Sequence, residues 1–450
     1  MPIIGDWLRQ QSGPARTSGQ LPVGSMASGM AVTLPYVAVR GARPGRTLWL
    51  HGQVHGDEIN GMVAALRFAR SLDPATMRGN VVVTPTGNPQ ALDARRKRNP
   101  YDELDLDQTY PGNAGGLVSE RLAHALMSEV RGVADVLINL HTMNPLFDAR
   151  PYTVYKVHPG SSVSEAAVLA AMAPFHPHVA CQQDVGGKGE LPGNIAGALD
   201  YQCLAAGVCA FMLELGSGSR FEADNIAVAE TGFHTLAVQM GILDGPPAKP
   251  AATALRRVTR RGWITADEGG LFIPGTRAGD QVGEGASIGD TLKLDASLTP
   301  VRPFPRDGVL IGLRSDPVVH TGERLAFVAW EWDTVTLESL VFCCRHWGRL
   351  PSPPAPLPLA GRGEQTKRRV GANQRLSPYH AIPSESHHAC PPRPPALPGR
   401  PDPPGPCGLA RCLEADPHGR RLPARRRRRR AGARHRPGAV RPAQGQRHHR

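Results

Sequence analysis

Two histidines and two acidic residues lie within eight positions of one another in the stretch "LWLHGQVHGDE", Leu48 to Glu58. Imidazole and carboxylate groups hold catalytic zinc, which takes three protein ligands and keeps a fourth position open. A metalloprotease helix of the His-Glu-x-x-His type needs two histidines four residues apart, with a glutamate directly after the first. Here "GQV" follows His51 and the stretch begins as a strand, which excludes that motif.

The pair His55 and Glu58 in "HGDE" remains, at the point where a predicted strand ends and a predicted helix begins. Residues three apart in a tight turn can aim at one point, and Gly56 lets the backbone bend between them. We expect His51, inside the strand, to have a structural role or to support the metal ligands from behind. Asp57 could compete with Glu58 for a metal, but it stands only two residues from His55, so we expect it to point away or to orient the turn.

Two further strand-like runs end on residues that could complete such a site. The run "ADVLINLH" ends on His141 and is followed by polar "TMN", and "CAFMLELG" is apolar up to Glu214 before it breaks into "GSGSR". In open α/β sheets, ligands bind outside the carboxyl ends of the strands. The pattern therefore predicts that both residues meet His55 and Glu58 at one edge of a sheet.

Between about Thr47 and Leu243, short apolar runs alternate with longer amphipathic ones. The runs "TLWLHG" and "NVVVTPTGNP" are typical of strands, whereas "INGMVAALRFARSL" and "GLVSERLAHALMSEVRG" have the apolar spacing of helices. This alternation predicts an α/β fold with a mixed, largely parallel sheet and helices on both faces. We assign residues 1–45 to an N-terminal lead-in and residues 46–243 to the domain that carries the candidate site.

After the linker "DGPPAKPAA", Asp244 to Ala252, the pattern changes to short β-branched runs broken by glycine. We predict a small all-β domain over residues 255–335, barrel-like and similar to a biotinyl or lipoyl carrier. The segments "AGDQVGEGASIG" and "SDPVVHTGERLAFV" look like two copies of one turn-and-strand unit. A carrier needs a lysine at the tip of its hairpin turn, and these turns have none, so we expect a structural or gating appendage.

The positive charge of the chain belongs to residues 343–450. The whole chain has a formal net charge of +13, but this extension holds 23 Lys and Arg against 5 Asp and Glu, which leaves residues 1–342 with a net charge of −5. Segments such as "PPRPPALPGRPDPPGP" and "RRRRRR" cannot bury enough apolar surface to fold, so we predict disorder. An arginine block can bind phosphate backbones. The composition instead favours an inert extension, of the kind that results when GC-rich DNA is translated out of frame, and we expect no nucleic-acid partner.

Five of the eight cysteines lie in that extension, which leaves Cys181, Cys203 and Cys209. An odd, scattered set without CxxC spacing is neither a disulfide framework nor a cysteine-rich zinc site, and it fits a reducing cytoplasm. The N-terminus lacks the regions of a signal peptide, and no apolar run approaches the ~18 residues that span a membrane. We therefore predict a cytoplasmic protein without a membrane partner.

Four motifs in a fixed order resemble the succinylglutamate desuccinylase/aspartoacylase family, which belongs to the zinc carboxypeptidase-like superfamily. They are "HGDE", the stretch "NPQALDARRKRNPYDELDLDQTYPG", "NLH" and "MLELG". The similarity covers roughly residues 46–243, and the appended β domain is similar to one found in many members. The His-x-x-Glu pair is short by itself, so the ordered set carries the resemblance.

The resemblance implies one zinc ion per chain, held by His55, Glu58 and His141. It also implies that Glu214 acts as the general base and acid of amide hydrolysis. Two nitrogens and one carboxylate would also accept cobalt or manganese. On this resemblance, residues 46–243 form a zinc hydrolase catalytic domain.

The residues expected to contact the substrate depart in part from the family pattern. The family implies an arginine near the zinc that polarises the carbonyl group, and we assign this role to Arg98 in preference to the two arginines before it. Members usually have Asp-Leu-Asn-Arg where this chain has "DLDQ", so Asp107 and Gln108 replace the pair that grips the substrate carboxylate. An arginine fork donates two charge-assisted hydrogen bonds to a carboxylate, whereas Asp107 would repel it. We therefore expect an amine or neutral group there, or a carboxylate held by Arg150 or Arg220.

The implied function is zinc-dependent hydrolysis of the amide bond of a small N-acyl amine or N-acyl amino acid by metal-activated water. One alternative is a carboxypeptidase-type peptidase, against which the missing carboxylate clamp argues. Another is a non-catalytic metal-binding protein. We expect a small acylated molecule as the partner and leave open whether the chain forms a homo-oligomer.

Overall fold

The structure is a computed structural model that describes residues 3–186 and 193–337. The extension predicted to be disordered, residues 343–450, lies outside the described residues. The helices are α1 (Ile3–Gln10), α2 (Asn60–Ser71), α3 (Pro89–Ala94), α4 (Val118–Val130), α5 (Glu165–Met172), α6 (Leu199–Ala205) and α7 (Ala223–Gln239).

The strands are β1 (Ala15–Ser25), β2 (Ala31–Arg40), β3 (Arg43–Gly52), β4 (Arg78–Thr84), β5 (Val136–Met143), β6 (Phe147–Ala149), β7 (Tyr152–Tyr155), β8 (Ala180–Gln182), β9 (Cys209–Ser217), β10 (Ala254–Thr265), β11 (Gly270–Pro274), β12 (Gln281–Val282), β13 (Gly289–Leu292), β14 (Leu298–Pro300), β15 (Gly308–Arg314), β16 (Val318–Val319) and β17 (Arg324–Thr336).

Within the described residues, thirteen strands form one mixed sheet in the order β1-β2-β4-β3-β5-β9-β7-β8-β10-β17-β15-β12, with β6 paired to β15. The central strands β4, β3, β5 and β9 run parallel to one another. Antiparallel pairs flank this centre, between β2 and β4 on one side and between β9 and β7 on the other. The sheet is therefore mixed, as predicted, and its central strands are parallel.

Helices cover both faces of the parallel strands, as predicted. Alternate residues of β3 point in opposite directions: Leu48 and Leu50 pack in a core with apolar residues of α2, α5 and α7. Trp49 packs in a second core with residues of α1, α4 and α6. The strands are apolar along their length because both of their faces are buried.

Residues 1–45 contribute more than the predicted lead-in. Strands β1 and β2 pair antiparallel over their length, and β2 pairs with β4, so both belong to the main sheet. Helix α1 is fixed by Glu129 of α4, whose carboxylate accepts hydrogen bonds from the backbone N–H groups of Ile3 and Ile4 at 2.6 and 2.9 Å. The sheet therefore begins well before the first apolar run that the sequence identifies.

The region predicted as a small all-β domain consists of strands, and several of them belong to the main sheet. Strand β10 pairs parallel with β8, where Arg257 is opposite Ala180, and then pairs antiparallel with β17. Strands β14, β13, β11 and β16 form a separate small sheet around an apolar core that includes Phe272 and Phe304. We call residues 254–336 the β module. No helix among the described residues is long and apolar enough to cross a membrane.

Candidate metal centre

The parallel strands at the centre of the sheet bring the predicted site residues to one edge. Strands β5 and β9 are paired so that His141 is opposite Glu214, and both strands continue two or three residues beyond this point. Strand β3 ends at Gly52, opposite Leu140, and the loop that follows carries His55 and Glu58 up to the start of α2. The carboxyl ends of three neighbouring strands thus converge, as the sequence predicts.

The loop between β3 and α2 has little freedom in how it presents its side chains. The backbone N–H of Gly56 donates to the carbonyl of Arg96 at 2.9 Å, and that of Glu58 donates to the carbonyl of His55 at 3.2 Å. A Cβ atom on Gly56 would overlap the carbonyl group of Ala91. Glycine is needed at this position because segment 88–96 packs directly against the loop backbone.

Glu58 lies between the two histidines. Its Oε1 is 2.7 Å from Nδ1 of His55, and its Oε2 is 2.9 Å from Nδ1 of His141. The backbone N–H of Thr142 also donates to Oε2, at 3.2 Å. One ligand atom from each of the three side chains lies within 4.8 Å of the others, and all three residues are buried. We call His55, Glu58 and His141 the metal cluster.

The electrostatics of the metal cluster suit a cation. Burial acts to lower the pKa of His55, but Glu58 and Asp105 outweigh it and raise that pKa to about 10. Burial also acts to lower the pKa of His141, but the negative charge of Glu58 outweighs it. The pKa of His141 is therefore raised. Burial acts to raise the pKa of Glu58, but the two histidines hold it well below its usual range. Buried carboxylates that draw positive charge onto neighbouring imidazoles fit a divalent cation equally well, since His₂-carboxylate is a common catalytic zinc set.

A second carboxylate orients the first histidine. Nε2 of His55 is 3.0 Å from Oδ1 of Asp105, and Lys97 is 3.4 Å from the other carboxylate oxygen. Asp105 also caps the short 3-10 turn Leu106–Gln108 by accepting from the backbone N–H of Asp107 at 3.2 Å. The sequence alone does not single out Asp105, because fifty positions separate it from His55 and a D-L-D run is equally typical of a solvated turn.

Glu214 is buried at the same edge and differs in its contacts from Glu58. Among the described residues, its Oε2 has no hydrogen-bond partner. Burial raises the pKa of Glu214 to about 7, with the positive charge of His141 opposing and the negative charge of Glu58 adding to the shift. A carboxyl group with a pKa near neutrality can both take and give a proton, which is what a general acid–base residue requires.

A cavity of about 660 Å³ opens from the metal cluster and Glu214. Its walls include Met143, Phe147 and Met212 from the sheet. The far wall comes from the β module, where Trp263 stacks on Phe327 with ring centroids 4.4 Å apart. The module also supplies Arg261, Arg314 and Arg324, whose positions cannot be inferred from sequence because they depend on how β10 joins β8.

Three of the predicted substrate-contact residues line this cavity and differ in their surroundings. Arg98 is exposed on its wall, whereas Arg96 is paired with Glu103 at 3.1 Å. Gln108 accepts a hydrogen bond from the backbone N–H of Asn194 at 3.0 Å. Asp107 points inward, towards the sheet, and burial raises its pKa. The catalytic role of Arg98 and the substrate role of Gln108 stay predictions.

Other residues considered from the sequence lie elsewhere. His51 is buried with Nδ1 2.7 Å from the Thr84 hydroxyl, and burial lowers its pKa to about 3, which favours the neutral imidazole. Arg150 and Arg220 are not among the described residues that line the cavity. Arg220 is instead paired with Asp148. The hypothesis that one of these two arginines replaces the carboxylate clamp therefore has no support from the fold.

Asp57 lies at the cavity wall beside the metal cluster rather than in it. Its backbone carbonyl accepts a hydrogen bond from the N–H of Ser219 at 2.6 Å, which ties the turn to the end of β9. Burial raises the pKa of its side chain, and the charge of Glu58 adds to this. The expectation that Asp57 orients the turn is consistent with this contact.

Residues 44–239 match the model of the succinylglutamate desuccinylase/aspartoacylase catalytic domain. A curated relative, N-alpha-acetyl-L-2,4-diaminobutyric acid deacetylase of Halomonas elongata, is 25% identical over 316 residues, which cover 69% of this chain and 90% of the relative.

Solved structures show the same fold. A succinylglutamate desuccinylase/aspartoacylase from Rhodobacter sphaeroides aligns with a TM-score of 0.60 at 24% identity, over 70% of this chain and 95% of that one. The product-bound ectoine utilization protein EutE (DoeB) from Ruegeria pomeroyi aligns with a TM-score of 0.61 at 23% identity, over 71% and 95%. The family model and the curated relative place residues 44–239 in the succinylglutamate desuccinylase/aspartoacylase family, and the solved structures show that the fold is shared.

Proposed function

We propose that this chain is a zinc-dependent deacylase that hydrolyses the amide bond of a small N-acyl amino compound. The convergence of His55, Glu58 and His141 carries the proposal, because three metal-ligating atoms within 4.8 Å share one cavity with a general acid–base candidate. The family membership and the deacetylase relative support the same class of reaction.

The residues of the site have different roles in hydrolysis. Two imidazoles and one carboxylate hold the metal ion, which when bound lowers the pKa of water and acts as a Lewis acid. Glu214 takes a proton from the attacking water at Oε2 and returns it to the leaving nitrogen. Arg98 places a cation on the cavity wall, where it can stabilise negative charge on the carbonyl oxygen.

The substrate is proposed to be an N-acyl amino acid with a second polar or amino group. The Halomonas elongata relative is named for an acetylated diamino acid, and this cavity offers charges of both signs beyond the metal cluster. Asp57 and Glu323 suit an amine, while Arg98 and Arg324 suit a carboxylate. The apolar walls between them leave room for the carbon skeleton.

Metal content and amine release test the proposal. We expect the full-length chain to bind about one zinc ion and to release free amine from at least one compound in a panel of N-acetylated and N-succinylated amino acids and diamino acids. The His55→Ala variant removes one ligand and should lose both the zinc and the activity. The matched control is His124→Ala, since His124 is an exposed histidine on α4.

Elemental analysis and a primary-amine assay distinguish the alternatives. Zinc without amine release from any acylated compound would favour the non-catalytic metal-binding protein. Cleavage confined to unblocked peptides would favour the peptidase. A parent chain without bound metal after loading would contradict the metal site itself.

A further inference from the structure

The two histidines of the metal cluster differ in how their outer nitrogens are engaged. Nδ1 of each ring faces Glu58. Nε2 of His55 has Asp105 at 3.0 Å. Nε2 of His141 is buried and, within the described part of the chain, has no hydrogen-bond partner. A histidine that ligates a metal through one nitrogen usually donates its other ring N–H to a carboxylate or carbonyl, which fixes the tautomer and the ring orientation.

A carboxylate is placed next to this nitrogen. Oδ1 of Asp107 lies 3.8 Å from Nε2 of His141, and the Asp107 side chain is only 13% exposed. That separation is longer than a hydrogen bond by less than about 1 Å, and it is too short for a water molecule to lie between the two atoms. A small rotation of the imidazole ring therefore suffices to form the direct contact.

Hydrogen bonds hold Asp107 in a position from which it can contact the imidazole ring of His141. Its Oδ1 accepts from the side-chain amide of Asn139 at 3.0 Å, and the backbone N–H of Leu199 lies 3.5 Å away. Asn139 is two residues before His141 on β5, so the strand that carries the imidazole also orients the carboxylate. The 3-10 turn Leu106–Gln108 fixes the other end, because Asp105 caps it while contacting His55.

We propose that Asp107 is a positioning residue that accepts a hydrogen bond from Nε2 of His141 and thereby strengthens metal binding. Asp105 and Asp107, two positions apart on one turn, then support one histidine each. The inference rests on the proposed metal site and gives a physical reason for the aspartate in "DLDQ", where the family pattern has asparagine. The main effect of this aspartate is to add a carboxylate behind the metal ligands, rather than to replace a contact with the substrate.

Metal affinity provides the test. The dissociation constant for zinc is measured by chelator competition on the full-length parent, Asp107→Asn and Asp107→Ala. We expect Asp107→Ala to bind zinc ~10–100-fold more weakly, the usual cost of removing such a partner. Asp107→Asn should lie in between, since its amide oxygen still accepts a hydrogen bond but has no charge.

The matched control is Asp102→Asn, the same chemical change on the same segment. The Asp102 carboxylate accepts from the backbone N–H and hydroxyl of Ser119 at 2.8 and 2.9 Å. This variant should keep the parent's zinc affinity. Thermal unfolding of the metal-free chains separates positioning from folding: Asp107→Asn should unfold at or above the parent's temperature, because a neutral amide is less costly to bury than a carboxylate.

Zinc affinities within about twofold of the parent in both Asp107 variants would overturn the inference. So would a loss of affinity in Asp107→Asn that is matched by a loss of metal-free stability. Failure of the proposed deacylase activity would give a different result from failure of this inference, because the parent would bind zinc but release no amine. The zinc affinities of the variants would still decide the role of Asp107.

Discussion

Two groups of buried charges lie at the same cavity, which Lys156 of the second group also lines, and they are built in different ways. In the metal cluster, the carboxylate of Glu58 is shared between two imidazoles, with further carboxylates behind it. In the second group, Lys156 donates to both oxygens of Asp200 at 2.8 Å, and these two residues are 1% and 0% exposed. We call them the buried ion pair.

The difference lies in the balance of charge. The buried ion pair is neutral as a unit, and each of its charges faces its partner. The metal cluster and the two aspartates beside it, Asp105 and Asp107, hold three carboxyl groups around two imidazoles. Against the effect of burial, these carboxyl groups raise the pKa values of the histidines, and a bound cation can neutralise them. A balanced buried pair indicates a structural role, whereas an anionic group of metal-ligating residues at a cavity indicates a binding site.

The largest expected effect concerns Glu214, the carboxylate that shares the cavity with the metal cluster. Glu214→Gln keeps the shape of the side chain and removes its ability to take a proton. We expect kcat for amide hydrolysis to fall ~10²- to 10⁴-fold, while zinc content stays at the parent's level. Stopped assays of amine release, with elemental analysis of the same sample, measure both quantities.

The pH profile sharpens this prediction. Burial raises the pKa of Glu214 to about 7, and a nearby metal cation lowers it, so the ionised base is lost at or below pH 7 as the solution is acidified. The parent's kcat/KM should therefore decline on the acid side, and the residual activity of Glu214→Gln should lack that decline. A Gln variant with the parent's rate and profile would remove Glu214 from the mechanism.

Local patterns in the sequence predict the metal cluster well. His55 and Glu58 stand in one short loop, and His141 ends an apolar run, so each can be placed at a strand end from its own neighbours. The rule that parallel strands present their carboxyl ends at one edge then brings them together. The same argument places Glu214, which is opposite His141 in the adjacent strand.

The remaining features depend on contacts between distant segments. Nothing in the sequence near Lys156 indicates that it meets Asp200, 44 residues later, or that β10 pairs with β8 and brings Trp263 to the cavity. Strand β1 escapes prediction because its outer positions are exposed and mostly polar, which weakens the apolar pattern. Residue spacing predicts elements and their ends, but not the partners chosen by long-range packing.

The buried ion pair is expected to affect the stability of the fold. The free energy involved should be similar to, or smaller than, the change in activation free energy expected for Glu214→Gln. Lys156→Met leaves the Asp200 carboxylate buried without its cation, so the free energy of unfolding should fall by roughly 3–5 kcal/mol. The double variant Lys156→Met/Asp200→Leu replaces both charges with apolar groups of similar size and should recover most of that loss. Urea unfolding of the metal-free chains measures both effects.

An equal loss in the single and double variants would contradict the structural assignment of the pair. It would mean that the shape of the two side chains, rather than the balance of their charges, stabilises the surrounding fold. A loss of amine release in the refolded double variant, with normal zinc content, would instead place Lys156 in contact with the substrate.

The smallest expected effect tests whether the two groups are independent. Removing both members of the ion pair changes the net charge by zero, so the electrostatic potential at the metal cluster should change little. We expect the zinc affinity of Lys156→Met/Asp200→Leu to stay within about threefold of the parent's. Lys156→Met alone removes a cation near Asp107 and keeps Asp200, so this variant should bind zinc somewhat more tightly than the double variant. If the double variant loses zinc as strongly as Asp107→Ala, the pair and the cluster form one network, and the separation between a structural and a functional charge group fails.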